Sequence, residues 1–268
     1  MVMFELLLPE ERKLYKKALA SLKHLALICD GDRRWAKKHG LHPSEGHKEN
    51  FLVTTPRLVE FLFNEGLAAV SYICITTENF KRSEAEVIWM LEYIEGFLEI
   101  FLPFAKNKEI KIVHMGKLER IPESLKQAII NAEAETKHFS SRAFYIGIDY
   151  GGRDEICRAV RKIVSSGHKG DVTEELVQQY LDTSGNIHPH PDFWIRCGGE
   201  QRLSGCLLWS VSYSEFYFIK EFYPEVTVDH LVMALVEYGR RGRTLGFMEQ
   251  SDLNKPKPVE NVYEIHSL

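Results

Sequence analysis

Short apolar runs recur along the chain, separated by longer stretches in which apolar residues return every third or fourth position. A continuous apolar run of about four to eight residues between turn signals is typical of a buried β-strand. Six runs predict strands: His24 to Cys29, Ala69 to Ile75, Ile110 to His114, Ala143 to Ile148, Asp192 to Ile195 and Glu215 to Phe218.

The stretches between these runs have helical spacing. They predict a helix start at Gly31 to Trp35 and helices over Lys48 to Glu65, Ser83 to Lys106, Pro122 to Lys137, Arg153 to Ser166 and Val228 to Leu245. Alternating strands and helices predict an α/β fold with a central, mostly parallel β-sheet flanked by helices. No repeat or low-complexity linker interrupts the pattern, so we expect a single domain.

The two ends of the chain differ from the middle. Residues 4–20 place apolar positions between charges at helical spacing, so residues 1–22 are expected to form an amphipathic helix that packs on the domain. A membrane-surface role for this helix is the weaker alternative. Residues 251–268 are polar, contain Pro256 and Pro258, and are expected to form a mobile tail.

Composition narrows the class of protein. The 268 residues are 44% hydrophobic, enough for a full-sized core, and carry a net charge of −4. This balance argues against a protein that coats nucleic acid. The five cysteines are scattered without a C-x-x-C pair, which makes zinc unexpected and favours a reduced, cytoplasmic compartment. No secretory signal or transmembrane run is visible.

Two segments carry the chemistry of phosphate binding. They are residues 29–35 (CDGDRRW) and residues 196–204 (RCGGEQRLS), and each follows an apolar run. Glycine lets backbone N–H groups approach an anion, arginine grips phosphate oxygens, and a carboxylate holds a divalent metal. Ligands of open α/β sheets bind beyond the carboxyl ends of the strands. Asp30, Asn79 and Arg196 all follow strand-like runs, so we expect them to share one crevice.

These segments also carry a resemblance to a known family. The motifs are residues 24–35, 45–47 (EGH), 77–82 (TENFKR), 149–153 (DYGGR) and 195–218, in that order. Together they resemble the cis-prenyltransferase (undecaprenyl diphosphate synthase-like) family, from about residue 23 to residue 247. The resemblance implies that residues 23–250 form a catalytic domain. It also implies Mg²⁺-dependent condensation of isopentenyl diphosphate with an allylic diphosphate, giving a Z-prenyl diphosphate.

The resemblance assigns a role to individual residues. Asp30, Asn79 and Arg82 are implied to be catalytic, and Asp30 and Glu215 to bind Mg²⁺. The implied substrate-binding residues are Gly31, Asp32, Arg33, Arg34, Trp35, His47, Phe80, Arg196, Arg202 and Ser204. Within this set, Arg196, Arg202 and Ser204 are implied to hold the isopentenyl diphosphate. The helix matching Ser83 to Lys106 lines a product tunnel in the family, which Trp89, Phe97 and Phe101 would close.

Each feature also has a purely structural interpretation. Asp30 and Asn79 are suited to helix capping, His47 to a structural histidine, and the 196–204 segment to a loop of solvated charges. The apolar face of the long helix is most often simply core. An isolated Asp-Gly would favour capping, but the companion motifs favour the functional interpretation.

Four positions depart from the family pattern. Asp32 and Asp149 stand where asparagine is usual, Pro43 where an arginine is frequent, and Thr244 where the C-terminal signature has arginine. An anion at position 32 is unfavourable near a diphosphate unless Asp32 shares a metal with Asp30. The isopentenyl site looks complete, whereas the allylic site is altered.

Three alternatives for function remain open at this point. The first is regular chain elongation. The second is irregular prenyl coupling or terpene cyclisation on the same fold. The third is one subunit of a heteromeric cis-prenyltransferase. The family precedent implies a homodimer, no nucleic-acid partner, and possible peripheral membrane contact through a lipid product.

Overall fold

A six-stranded parallel sheet forms the centre of the molecule. The computed structural model describes residues 5–242. In this part of the chain the strand order is β3-β4-β2-β1-β5-β6, and every pairing is parallel. The strands are β1 (His24–Ile28), β2 (Ala69–Thr76), β3 (Ile110–Met115), β4 (Arg142–Tyr150), β5 (Phe193–Arg196) and β6 (Glu215–Phe218). All six predicted strands are confirmed, with ends shifted by no more than two residues.

Helices cover the sheet. They are α1 (Pro9–Ser21), α2 (Asp32–Lys38), α3 (Pro43–Glu49), α4 (Thr55–Asn64), α5 (Glu84–Asn107), α6 (Glu123–Thr136), α7 (Gly152–Ser165), α8 (Glu174–Tyr180) and α9 (Val228–Arg240). The prediction for α9 extended to Leu245, which lies outside the described residues. Thr244 and the expected tail over 251–268 lie outside them as well. None of the helices within residues 5–242 has both the length and the apolar composition to cross a bilayer.

The helix predicted from Lys48 to Glu65 begins earlier than expected and is not uniform. It starts at Pro43, and a π-helical turn over Asn50–Thr54 joins α3 to α4. Pro56 lacks the N–H that a regular helix would donate at this point, which gives a physical reason for the local change of hydrogen bonding. Such π turns occur frequently at functional sites. Pro43, one of the departures from the family pattern, occupies the first turn of α3, where proline fits well.

The N-terminal helix belongs to the packed body of the molecule. Tyr15 and Ala18 of α1 are buried, and α1 crosses α9 closely. A Cβ atom at Gly239 would lie 2.1 Å from the carbonyl oxygen of Leu14, so only glycine allows this crossing. The packing agrees with the interpretation of this segment as an amphipathic helix on the domain.

The apolar face of α5 fills the core rather than lining an open tunnel. Phe97 and Phe101 are fully buried, and their rings stack at 5.4 Å between centroids. The Phe101 ring also packs against the Phe144 ring of β4, with 4.6 Å between the two ring centroids. Trp89 lies apart from them and packs edge-on against His42. Trp89, Phe97 and Phe101 therefore do not come together to close a tunnel in this structure. Phe97 and Phe101 are core residues.

The register of the sheet brings the ends of three strands together. Ile28 of β1 pairs with Ile73 of β2 on one side and with Arg196 of β5 on the other. The segments that follow β1 and β2 therefore leave the same edge of the sheet as Arg196, the last residue of β5.

Candidate active site

Asp30 lies at the centre of this edge, between two arginines. Its Oδ2 accepts a hydrogen bond from Nη2 of Arg196 at 2.8 Å, and its Oδ1 accepts one from Nη2 of Arg34 at 3.0 Å. Arg196 is buried and Arg34 is exposed. The crevice predicted for Asp30 and Arg196 is confirmed, since the two side chains touch across 166 positions of sequence.

Arg196 is held on its other side by the loop that follows β5. Its Nη1 donates to Oγ of Ser204 at 2.7 Å and to the carbonyl oxygen of Arg202. Its Nε is buried and has no hydrogen-bond partner among the described residues. A buried, unsatisfied guanidinium N–H beside a polar crevice is suited to a bound anion.

Glu200 links the two exposed arginines of the crevice. Its Oε1 accepts from Nη1 of Arg34 at 3.2 Å, and its Oε2 accepts from Nη1 of Arg202 at 2.5 Å. The guanidinium of Arg34 also lies 5.1 Å from the centre of the Phe222 ring. These contacts hold three arginines, at positions 34, 196 and 202, around a single opening.

Two glycines allow the backbone to close around Asp30. Gly31 has a φ of 106°, and a Cβ there would lie 2.6 Å from the Phe222 ring. Gly198 has a φ of 82°, and a Cβ there would lie 2.8 Å from the carbonyl oxygen of Asp30. Both positions require glycine for conformation and for space.

Asn79 combines a capping contact with a position at the crevice. Its Oδ1 accepts from the backbone N–H of Thr76 at 2.8 Å and from the Thr76 hydroxyl at 3.2 Å. The amide oxygen therefore holds the end of strand β2, whereas the structural interpretation expected it to cap a helix. The Nδ2 group makes no hydrogen bond that we find within residues 5–242, so it remains able to donate to a ligand.

Arg82 is anchored by the first turn of α5. Its Nη1 donates to Oε1 of Glu86 at 2.8 Å, and Arg33 from α2 approaches the same oxygen at 3.7 Å. Burial raises the pKa of Glu86, but Arg82 and the hydrogen bond from His47 outweigh burial and leave that pKa below its ordinary value. The ionised Glu86 thus fixes two arginines on one side of the crevice.

His47 is buried between two carboxyl groups. Its Nδ1 lies 3.0 Å from Oδ2 of Asp32, and its Nε2 lies 3.3 Å from Oε1 of Glu86. Both ring nitrogens lie within hydrogen-bond distance of these carboxyl groups, so neither is left facing the diphosphate contact that the resemblance implied.

Asp32 points away from the crevice, into the same buried network. Its Oδ2 also accepts from Nδ2 of Asn50 at 2.7 Å, at the start of the π-helical turn, and its buried Oδ1 has no partner among the described residues. A Cβ at Gly46 would lie 2.2 Å from the carbonyl oxygen of Asp32, so glycine lets α3 pack directly on α2. The Asp32 carboxyl group is therefore held by His47 and Asn50.

Trp35 and Phe80 contact different neighbours. The half-buried Trp35 ring packs against His39 within α2. Phe80 lies in the short 3₁₀ turn Asn79–Lys81, and the guanidinium of Arg120 stacks 4.2 Å from its ring centre. Phe80 and Arg120 line a groove of about 510 Å³ that extends from Arg82 along the apolar first turns of α5.

Glu215 does not join this cluster within the chain. It begins β6, where it pairs with Phe193, whereas the crevice lies beyond the opposite ends of the strands. Three residues of strand separate the two ends, or roughly 10 Å. The Glu215 carboxylate instead accepts from Nη1 of Arg241 at 2.9 Å. The expectation that Glu215 and Asp30 lie at one metal site is therefore not met inside a single chain.

Comparison with known proteins agrees with this geometry. The model of the prenyltransferase family described as "Putative undecaprenyl diphosphate synthase" matches residues 28–246. The chain belongs to this family. It is therefore a prenyltransferase, and the family resemblance of the motifs is confirmed.

Individual relatives cover almost the whole chain. An isoprenyl transferase of Treponema denticola is 39% identical over 84% of this chain and 97% of its own length. Dehydrodolichyl diphosphate synthase 3 of Arabidopsis thaliana is 37% identical over 84% of this chain and 76% of its own length. These names support cis-prenyltransferase activity.

Two solved structures share the fold. Lavandulyl diphosphate synthase from Lavandula x intermedia, in complex with dimethylallyl diphosphate, has a TM-score of 0.80 and 32% identity, covering 85% of this chain and 99% of its own. A probable undecaprenyl diphosphate synthase from Campylobacter jejuni has a TM-score of 0.69 and 28% identity over the same shares. The predicted fold class is thereby confirmed.

Several residues of the site were not found by sequence reasoning. They are Glu86, Asn50, Glu200, Arg120 and Phe222. One signal was available, because Glu86 follows Arg82 by four residues on a predicted helix, the spacing of a side-chain pair. The other contacts join segments far apart in sequence.

Proposed function

We propose that this prenyltransferase condenses isopentenyl diphosphate with an allylic prenyl diphosphate in a Mg²⁺-dependent reaction that gives a Z-prenyl diphosphate. The observation that carries the proposal is the position of Asp30 between Arg34 and Arg196, while Arg82 lines a groove with the apolar side chains of Val87, Ile88 and Leu91. Diphosphate head groups suit the arginine cluster, and a hydrocarbon tail suits the groove.

The first chemical demand of the reaction is charge stabilisation. The bond between the allylic carbon and the diphosphate oxygen breaks only if the departing negative charge is stabilised. Arg34, Arg82 and the Nδ2 of Asn79 are the donors that we assign to the allylic diphosphate. Glu86 orients Arg82 for this task, and His47 and Asp32 act behind Glu86 as positioning residues.

The second demand is to hold the attacking substrate close to the breaking bond. We assign Arg196, Arg202 and Ser204 to the isopentenyl diphosphate. Arg196 already contacts both Asp30 and Ser204, so a diphosphate bound to it lies beside the allylic site. Because both substrates are held side by side, the entropy cost of bringing them together is met on binding and no longer adds to the barrier of the chemical step. The olefin then attacks the allylic carbon, and loss of a proton forms the new double bond.

The donor set fits Mg²⁺. No group of three or more His, Cys, Asp and Glu side chains suited to a metal occurs within residues 5–242. Mg²⁺ commonly takes only one or two carboxylates and completes its shell with water and substrate phosphates. Asp30, partly exposed at the crevice, would hold the ion, which would neutralise charge on the diphosphate.

Irregular coupling of two allylic units is the second candidate. The specific observation in its favour is the likeness to lavandulyl diphosphate synthase, solved with dimethylallyl diphosphate. The contacts of Arg196 with Ser204 and the Arg202 carbonyl favour regular elongation, because they supply a second diphosphate site. We also propose a homodimer, with pairing to a different subunit as the alternative, and peripheral contact with membranes through long products.

The test is a panel of substrates with the purified protein. Labelled isopentenyl diphosphate is combined with dimethylallyl, geranyl, farnesyl or geranylgeranyl diphosphate across a Mg²⁺ titration. Regular elongation predicts metal-dependent incorporation with at least one primer. Product from dimethylallyl diphosphate alone, with no isopentenyl incorporation, would instead establish the irregular reaction. Absence of product in every arm would contradict the proposal for the homomeric protein.

A further inference from the structure

A buried carboxylate fixes a cation on the wall of the groove beside α5. Asp149 is the penultimate residue of β4, is fully buried, and has a φ of 49°, a left-handed conformation that is uncommon for most residues. Its two carboxylate oxygens accept from the guanidinium of Arg120, with Nε at 2.8 Å from Oδ2 and Nη2 bonded to Oδ1. This forked contact is the strong, directional form of an arginine–carboxylate pair.

The same guanidinium covers an aromatic ring of the site. Its central carbon lies 4.2 Å from the centre of the Phe80 ring, within the range of a cation–π contact. Asp149, Arg120 and Phe80 therefore form one stack, which joins the end of β4 to the segments that follow β3 and β2. The hydrogen bonds to Asp149 raise the pKa of Arg120, so the cation is permanent.

The stack lines the same groove as Arg82. The other lining residues include Val87, Ile88 and Leu91 of α5, and Ile121 and Pro122 from the segment after β3. Phe80 follows Asn79 directly in sequence, and Asn79 is a residue that we assign to the allylic diphosphate. A tail bound in this groove would therefore contact the Phe80–Arg120 stack.

We propose that Arg120, held by Asp149, is a specificity-determining residue: its guanidinium fixes the Phe80 ring in the wall of the groove and thereby selects the allylic primer by tail length. The inference rests on the proposed prenyl transfer. It also gives a role to Asp149. Both oxygens of its carboxylate accept N–H groups of Arg120, whereas the asparagine that is usual at this position has only one acceptor oxygen. A locked ring admits a short tail and resists a longer one.

The test compares primers in a variant designed to keep the fold. Arg120→Met alone would leave a buried carboxylate unpaired, so the variant is Arg120→Met with Asp149→Asn, which removes both charges and keeps similar volumes. We expect the ratio of kcat/KM for geranylgeranyl over dimethylallyl diphosphate to rise about tenfold, the size of a modest change in apolar contact. The change should lie mainly in KM, because the stack contacts the tail rather than the diphosphate.

Two further variants separate specificity from structure. Phe80→Leu should shift the same ratio in the same direction, and adding it to the double variant should change little more, since both remove one stack. Arg161→Met, an exposed arginine on α7, is the matched control and should leave the ratio unchanged. A merely structural role would lower activity with all primers equally.

The outcomes distinguish the inference from the function on which it rests. An active wild type whose primer ratio and product lengths are the same, within twofold, in the folded double variant would overturn the role of Arg120. A wild type that is inactive with every primer would instead overturn the proposed reaction. In that case the groove can be tested by direct binding of geranylgeranyl diphosphate, whose affinity relative to dimethylallyl diphosphate should still rise in the double variant.

Discussion

The buried pair of His47 and Asp32 gives a quantitative prediction. Their side chains are 4% and 10% exposed and meet at 3.0 Å, with Glu86 on the other ring nitrogen. His47→Ala would leave two buried carboxylates without their shared partner. Leaving a buried carboxyl group without a hydrogen-bond partner typically costs about 1–3 kcal/mol of folding stability. Asp32→Asn should cost about 1 kcal/mol, because an amide oxygen still accepts from His47 and Asn50.

The assay is urea unfolding of a double-mutant cycle. Wild type, His47→Ala, Asp32→Asn and the double variant are compared, with the exposed His138→Ala as control. The double variant should be less destabilised than the sum of the single variants, by about 2 kcal/mol, within the range found for contacting groups. The control should change stability by less than about 0.5 kcal/mol. A cost below about 1 kcal/mol for His47→Ala, or additive effects, would refute the buried contact between His47 and Asp32.

Three shorter predictions concern packing, pH and thiol chemistry. Gly46→Ala should destabilise the protein by about 1–3 kcal/mol and reduce activity, because its Cβ meets the Asp32 carbonyl at 2.2 Å; Gly96→Ala, facing only a flexible leucine side chain, is the calorimetric control. Burial lowers the pKa of His24 from 6.5 to about 4. Between these pH values the His24 side chain is protonated in the unfolded chain but not in the folded protein. Stability should therefore fall as pH decreases from about 6.5 to 4, by up to about 3 kcal/mol, and His24→Gln should flatten this part of the curve. Native thiol labelling, mapped by mass spectrometry, should modify Cys157 first, since it is the exposed cysteine; equally fast labelling of the buried thiols would contradict the packing.

Much of the fold could be predicted from the sequence because its strands are buried on both faces. Such strands appear as apolar runs, and β1 is buried at all five of its positions. The missed elements lack this signal. Helix α8 has only seven residues, and the π-helical turn at Asn50–Thr54 depends on local hydrogen bonding. A proline at position 56 disfavours regular helical hydrogen bonding, but it does not specify a π-helical turn, which depends on how the helix packs.

The site could be predicted where a residue follows a strand. Asp30 and Arg196 lie at the carboxyl ends of neighbouring parallel strands, and they meet as expected. Glu215 begins its strand and therefore lies at the opposite edge of the sheet, contrary to the expected metal site. The pairing of His47 with Glu86 joins α3 to α5, a tertiary contact between positions 39 residues apart. Periodicity carries no information about such a pair.

The central claim is cis-prenyl transfer at Asp30. The most direct measurement is incorporation of labelled isopentenyl diphosphate by wild type and Asp30→Asn side by side, with the new double bond assigned by NMR. The exposed Asp171→Asn is the matched control. The account predicts a Z double bond from the wild type and the control, and a loss of about 10²–10³ in rate for Asp30→Asn, the usual cost of removing one stabilising contact. An E double bond, or full activity of the folded Asp30→Asn variant, would contradict it.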